Sequence, residues 1–203
     1  MIIVFAKAPL PGKAKTRLIP RLGEWGAARL HRRLISHTLR TARLADDRVE
    51  LHGTRRHRFF QSLRVPFRLQ HGDDLGERMH YALSKARKPA ILIGSDCPML
   101  TAADLRRAAR WLRGGAEVVL APAEDGGYAL IGARRISFSL FQGIAWGGED
   151  VYEQTVKRLN RAGYRWRALR RVWDVDRPED VDRLTAAVRS PRFASTARRG
   201  ARR

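Results

Sequence analysis

Short runs that are apolar throughout alternate along the chain with longer stretches in which apolar residues return every third or fourth position. "MIIVFA" at residues 1–6 is of the first kind and predicts a buried strand. From about Gly23 to Ala45 the pattern changes: Ala27, Leu30, Leu34 and Thr38 recur at helical spacing with arginines between them. "RVELHG" predicts a short second strand, Arg55 to Leu63 a weak helix, and "VPFRLQ" a third strand. A helix is predicted from about Leu75, and "PAILIGSD" is continuously apolar, as central parallel strands are. Thr101 with Asp104 has the spacing of a capping box and opens a helix to about Arg113. "AEVVLAPA" and "GGYALIGA" predict two further strands, the second entered from a tight turn. Glu149 to Arg161 reads as helix and "YRWRALRRVWDV" as extended chain. Pro178 suits the first turn of a last helix to Val188.

Strands alternating with helices predict a three-layer α/β domain with a mostly parallel sheet and helices on both faces. No internal repeat or linker divides it, so one domain is expected over residues 1–188, followed by a basic tail, 189–203, expected to be disordered. In such sheets ligands gather outside the carboxyl ends of the strands. Four loops there carry the chemistry. The first runs from Ala6 through "KAPLPGKAKTR" and holds Lys7, Lys13, Lys15 and Arg17. The second is Ser95-Asp96-Cys97-Pro98. The third is Glu124-Asp125-Gly126-Gly127-Tyr128, and the fourth Asp174-Val175-Asp176-Arg177-Pro178.

Composition changes this picture little, except through charge. The 203 residues carry a formal net charge of +21, a balance that invites a nucleic-acid reading. Only six of the 41 basic residues are lysines, and the arginines are scattered through helices without interleaved aromatics. Such a bias is what GC-rich coding produces, and scattered charge supplies attraction without readout. No specific nucleic-acid partner is expected. Apolar runs are too short for a membrane span, no signal peptide opens the chain, and the single Cys97 forms no internal disulfide; a cytoplasmic protein is expected.

The first loop is neither a P-loop nor a dinucleotide fingerprint, since the required glycines are missing. Its cations suit a polyphosphate, with Arg17 able to bind bidentately. Asp96 ends the most apolar strand, where a carboxylate is costly unless paired or metal-bound. Together with Asp176 or Asp174 it supplies the carboxylates that a hard divalent cation needs, if the two loops converge. Gly126 and Gly127 permit close approach of backbone to a ligand, and serve equally as a hairpin turn. Glu124 and Asp125 are candidate bases. The six histidines show no metal spacing, and Cys97 reads as packing.

Five stretches in order, "FAKAPLPGKAKTRL", "GDDLGERM", "IGSDCPMLTAADL", "PAEDGGYALIG" and "WDVDRPEDVDRL", resemble a bacterial family of GT-A-like nucleotide-diphospho-sugar transferases near phospholactate guanylyltransferase. The resemblance implies a Rossmann-like GT-A fold. It also implies phosphate contacts from Lys15 and Arg17, with Lys7 and Lys13 behind them, in a nucleotide site that takes in Ala6 and Ser95. It assigns Asp96 and Asp176 to a Mg²⁺ or Mn²⁺ ion. Gln70, Leu75 and Gly76 look like the base-contacting element, and Glu77 beside them suggests guanine. Gly126, Gly127, Tyr128 and Trp146 fall on the acceptor side. There Trp146-Gly147-Gly148 replaces the Trp-Ser-Thr of many relatives, and Glu149 and Asp150 follow at the position of a catalytic base; Met99 also departs from the family pattern.

The expected activity is metal-dependent glycosyl transfer from a nucleotide sugar to a small-molecule acceptor. Lys15 and Arg17 would stabilise the leaving group, and Asp125, Glu149 or Asp150 would act as base. Two alternatives stay open. One is nucleotidyl transfer from an NTP to a phosphorylated small molecule with release of pyrophosphate, and the other a noncatalytic RNA-binding accessory.

Overall fold

Ile2, Val4 and Ala6 pack to one side of the first strand and Ile3 and Phe5 to the other, and all five are buried. A strand covered on both faces belongs in the middle of a sheet. The computed structural model describes residues 1–189 and puts this strand, β1 (Ile2–Ala6), third from one edge of a seven-stranded sheet. The others are β2 (Val49–Gly53), β3 (Phe67–Leu69), β4 (Ala90–Gly94), β5 (Val118–Pro122), β6 (Tyr128–Ala133) and β7 (Trp166–Ala168), in the order β3-β2-β1-β4-β6-β5-β7. β1 pairs in parallel with both β2 and β4, and β5 with β7. Only β6 runs antiparallel, to β4 and β5 alike, because β5 returns through the tight Glu124–Gly127 turn without a helix.

Helices α1 (Ile19–Arg43) and α4 (Ala102–Arg113) cover one face, meeting β1 and β4 through Ile35, Leu39, Leu105 and Leu112. On the other face α3 (Leu75–Lys85) and α5 (Val151–Arg161) bring Met79, Leu83 and Leu159 against Ile3, Phe5 and Leu92. A short α2 (Arg58–Ser62) precedes β3. The last helix, α6 (Pro178–Arg189), packs with α1 in a third cluster of Leu18, Leu34, Trp173 and Val175. The Thr101–Asp104 capping box predicted from sequence is present, and Asp104 also accepts from Arg170 at 2.9 Å.

The architecture agrees with the expected mostly parallel, three-layer α/β fold, and its boundaries differ where local geometry intervenes. α1 begins at Ile19, not near Gly23, and kinks at that glycine, whose φ of 65° interrupts the helix. α5 begins at Val151, so Glu149 and Asp150 precede it. Of the long stretch read as extended, only Trp166–Ala168 forms a strand, joined by one further bridge from Val172 to Ala123. Apart from Arg189, which ends α6, the expected tail lies outside the described residues.

Candidate functional site

Crossover connections leave β1 in one direction, to β2 and β3, before the chain passes to β4 on its other side. The carboxyl ends of β1 and β4 therefore flank a crevice at the switch point of the sheet, where α/β folds bind ligands. The register aligns Phe5 with Gly94, and this sets the lysine loop beside the Ser95–Pro98 loop. A third loop joins them: the Val175 amide donates to the Asp96 carbonyl at 2.9 Å, and the Cys97 thiol donates to the Trp173 carbonyl at 3.1 Å. Cys97 is thus a packing residue, as expected. Burial pushes its thiol up to about 12.

Four side chains converge there. The Lys15 ammonium, 4% exposed, lies 2.9 Å from Asp96 Oδ2 and 3.8 Å from Asp176 Oδ1. Arg17 is solvent-facing and donates to the other Asp176 oxygen. Lys15 reaches this position from a left-handed backbone, φ 53° and ψ 47°, at the head of a single 3-10 turn, Thr16–Leu18. Burial alone would raise the Asp96 carboxyl. The opposing field of Lys15, with His31, overrides it and holds the group well below the usual carboxylate range.

His31 was not singled out by its sequence context. It is buried on α1, its Nε2 is 3.0 Å from the Lys7 carbonyl, and its Nδ1 stands 3.5 Å from Asp96 Oδ1. A carbonyl only accepts, so Nε2 carries a hydrogen and Nδ1 faces the carboxylate. His31 thereby holds the lysine loop to α1 and stands beside the β4 loop, its Nδ1 making no hydrogen bond. Lys7 and Lys13 are exposed on the rim, Ala6 is buried at the end of β1, and the Ser95 hydroxyl leans on Asp96 at 3.4 Å.

Next to Asp96 opens a cavity of about 270 Å³, lined by Leu75, Met79, Asp125, Gly127, Tyr128, Trp146 and Asp174. A wider cleft of about 670 Å³ shares Asp125, Gly147 and Asp174 with it and extends over Arg17, Glu149 and Asp176. Burial and the neighbouring Asp125 push Asp174 up to about 6. Glu124 lines the wider cleft too, but its carboxylate takes a two-pronged bond from Arg183, at 2.6 and 2.9 Å. A larger hollow, about 1010 Å³, lies elsewhere, on the flank of β2 and β3 against α3, and none of the converging carboxylates lines it.

The residues expected to contact the base are divided. Leu75 lines the cavity beside Asp96, and Gly76 is closed over by Trp146, whose ring a Cβ there would meet at 2.5 Å. The Gln70 amide donates to the His52 carbonyl at 2.9 Å. Glu77 is engaged locally: Asp74 accepts from its amide, and its own carboxylate accepts from the Asp73 amide at 2.7 Å, closing the start of α3. Glu149 and Asp150 are both exposed, and Asp150 lines neither cavity.

Among the described residues no group of three or more His, Cys, Asp and Glu is gathered around one point. The donors that do converge, two carboxylates already grouped about one cation, fit a hard divalent ion that completes its shell with phosphate oxygens and water.

Residues 35–148 match the sequence profile of a bacterial family described as "Uncharacterized protein conserved in bacteria (DUF2064)". The chain belongs to this family. A crystal structure from Desulfovibrio desulfuricans G20, of a protein provisionally assigned as a nucleotide-diphospho-sugar transferase, is 32% identical. It superimposes with a TM-score of 0.85 over 98% of this chain and 93% of the other. Two more distant structures share the fold. CMP:2-keto-3-deoxy-manno-octonic acid synthetase complexed with CTP is 16% identical, TM-score 0.61, over 93% of this chain and 97% of that one. The manganese complex of Rv0371c from Mycobacterium tuberculosis H37Rv is 19% identical, TM-score 0.54, over 92% and 99%. No curated protein sequence matches significantly. The family resemblance read from the five motifs and the expected fold are borne out together. No described helix is long and apolar enough to cross a membrane.

Proposed function

We propose that the protein is a metal-dependent transferase that moves a sugar from a nucleotide diphosphate to a small-molecule acceptor. The observation that carries this reading is the convergence of Lys15, Arg17, Asp96 and Asp176 at the switch point, with a cavity opening beside them. The 32% identity to a protein assigned to nucleotide-diphospho-sugar transfer supports the transferase class.

In this reading Asp96 and Asp176 hold Mg²⁺ or Mn²⁺, which when bound supplies charge neutralisation for the diphosphate. Lys15 and Arg17 donate hydrogen bonds to the phosphate oxygens and stabilise charge as the bond to the sugar breaks. Asp125, at the junction of the two cavities, takes the proton of the acceptor hydroxyl as its oxygen attacks the anomeric carbon and the nucleoside diphosphate leaves. Leu75, Met79, Tyr128 and Trp146 form an apolar wall that excludes water from the reacting centre.

The acceptor side favours glycosyl over nucleotidyl transfer. Apart from the Arg17–Asp176 pair, the wider cleft sets Asp125, Glu149, Glu153, Asp174 and Asp180 against Arg171 and Arg177, and this acidic excess repels a phosphorylated acceptor more than a neutral hydroxyl compound. The experiment is incubation with nucleotide sugars or NTPs, Mn²⁺ and a panel of acceptors. Release of a nucleoside diphosphate is expected, and release of pyrophosphate would overturn glycosyl transfer in favour of nucleotidyl transfer.

A further inference from the structure

The reading above places a divalent ion between Asp96 and Asp176, and a cation of the chain itself already stands there. The Lys15 ammonium is 2.9 Å from one carboxylate and 3.8 Å from the other, and its side chain is only 4% exposed, against 42% for Asp96 and 35% for Asp176. The carboxylates thus open toward solvent while the lysine closes the space between them from below. Asp176 also receives Arg17, and Asp96 Oδ1 has the Ser95 hydroxyl at 3.4 Å and His31 Nδ1 beside it at 3.5 Å. Together these groups make a charge-balanced cluster, which a buried ammonium requires.

The backbone shows that the lysine is held there at a cost. With φ 53° and ψ 47°, Lys15 occupies the left-handed region, which glycine enters freely and residues with a Cβ enter rarely. A side chain is kept at this turn against local strain, and the ion pairs with Asp96 and Asp176 are what it gains. A divalent ion on the same carboxylate oxygens would be a like charge within a few ångströms of the ammonium, so the two compete for the pair.

We infer that Lys15 is the resident counter-ion of the carboxylate pair and that it leaves Asp96 and Asp176 when a divalent cation binds. The inference rests on the proposed reading of these two residues as the metal-holding pair. It adds a sequence of events: the incoming metal frees an ammonium that is otherwise locked, and the freed Lys15 is then available to the donor's phosphates. Metal and nucleotide binding are coupled through one side chain, and without metal the site stays closed on itself.

The test is Mn²⁺ binding by calorimetry to the full-length wild type, Lys15→Met and Asp96→Asn. Lys15→Met is expected to bind Mn²⁺ at least tenfold more tightly than wild type, to melt lower without metal, and to recover on adding Mn²⁺. Asp96→Asn is expected to bind none. Equal or weaker binding by Lys15→Met would overturn the exchange and leave metal dependence standing. Binding by Lys15→Met with none by wild type would support the competition and sink metal dependence, and binding by neither would sink both. Should Lys15→Met fail to fold, amine acetylation of wild type read by mass spectrometry decides. Lys15 labelling is expected to rise several-fold on Mn²⁺ addition while exposed Lys7 and Lys13 change little. A Lys15 amine that stays protected in the Mn²⁺-bound protein would overturn the inference.

Discussion

Gly126 lies against the backbone of Glu149 so closely that a Cβ on it would meet the Glu149 carbonyl oxygen at 1.8 Å. The Tyr152 amide donates to the Gly126 carbonyl at 2.8 Å, so the β5–β6 turn and the start of α5 are docked backbone to backbone. Asp125 is thereby fixed at the junction of the two cavities, its carboxylate accepting from the Gly127 amide at 2.9 Å. The glycine serves the site through this contact more than through the turn alone.

Gly126→Ala should therefore be severe. Its φ of 87° strains any residue with a Cβ, and the clash is with backbone that cannot rotate aside. The cost should be roughly 3–5 kcal/mol, from a left-handed alanine and an overpacked contact together. Chemical denaturation measures it. A loss under about 1 kcal/mol would show that α5 docks loosely.

Gly76→Ala tests the opposite wall. The added methyl would press on Trp146 at 2.5 Å and on Phe141 Cβ at 2.9 Å. Because the indole can shift toward the cavity, the expected cost is smaller, about 1–3 kcal/mol. The displaced ring should narrow the cavity, so ligand binding should weaken more than stability. An unchanged affinity for the nucleotide ligand, measured by calorimetry, would remove Trp146 from the site.

The sheet, its helices and the four loops were legible because both faces of the central strands are buried and punctuated by turns. The two carboxylates were legible for a related reason: Asp96 follows the apolar run "ILIG", where a charge demands an explanation. Sequence could not reveal that the Val175–Asp96 backbone bond draws the last loop across to β4, because that contact joins residues 79 positions apart. His31 was hidden for the same reason. On its helix it occupies an ordinary core-facing position, and only the fold places Lys7 and Asp96 around it. The local role of Glu77 was passed over, although a carboxylate three residues into a helix is well placed to close its start.

Asp96→Asn should abolish turnover by at least about 100-fold, the scale of losing a charged group at the reacting centre. It also leaves the Lys15 ammonium with Asp176 alone, 3.8 Å away. Since Asp96 is partly open to solvent, the stability loss should be modest, about 1–3 kcal/mol. A variant that keeps its thermal stability and loses activity would separate the chemical role from the structural one. Full activity in Asp96→Asn would dismiss this site.

Acid should destabilise the protein before the usual carboxylate range is reached. Burial lowers the pKa of His37 and of His52 below 6.5, in His52 despite the neighbouring Glu50. The unfolded chain therefore takes up protons at these positions first, and their contribution to stability, complete above pH 6.5, is lost as pH falls through the folded values. Asp174 opposes this. Raised to about 6, it binds its proton first in the folded state, so its stabilising contribution grows as pH falls through that value. His57 and His80 are lowered by burial as well, and the four histidines together are expected to outweigh the one carboxyl, giving a net decline in melting temperature between pH 7 and pH 5, readable in a thermal scan across buffers. His52→Gln can keep a hydrogen bond to Glu50 but has no proton to take up, so it should flatten the decline. A wild-type melting temperature that rises over this range would mean that Asp174 outweighs the buried histidines.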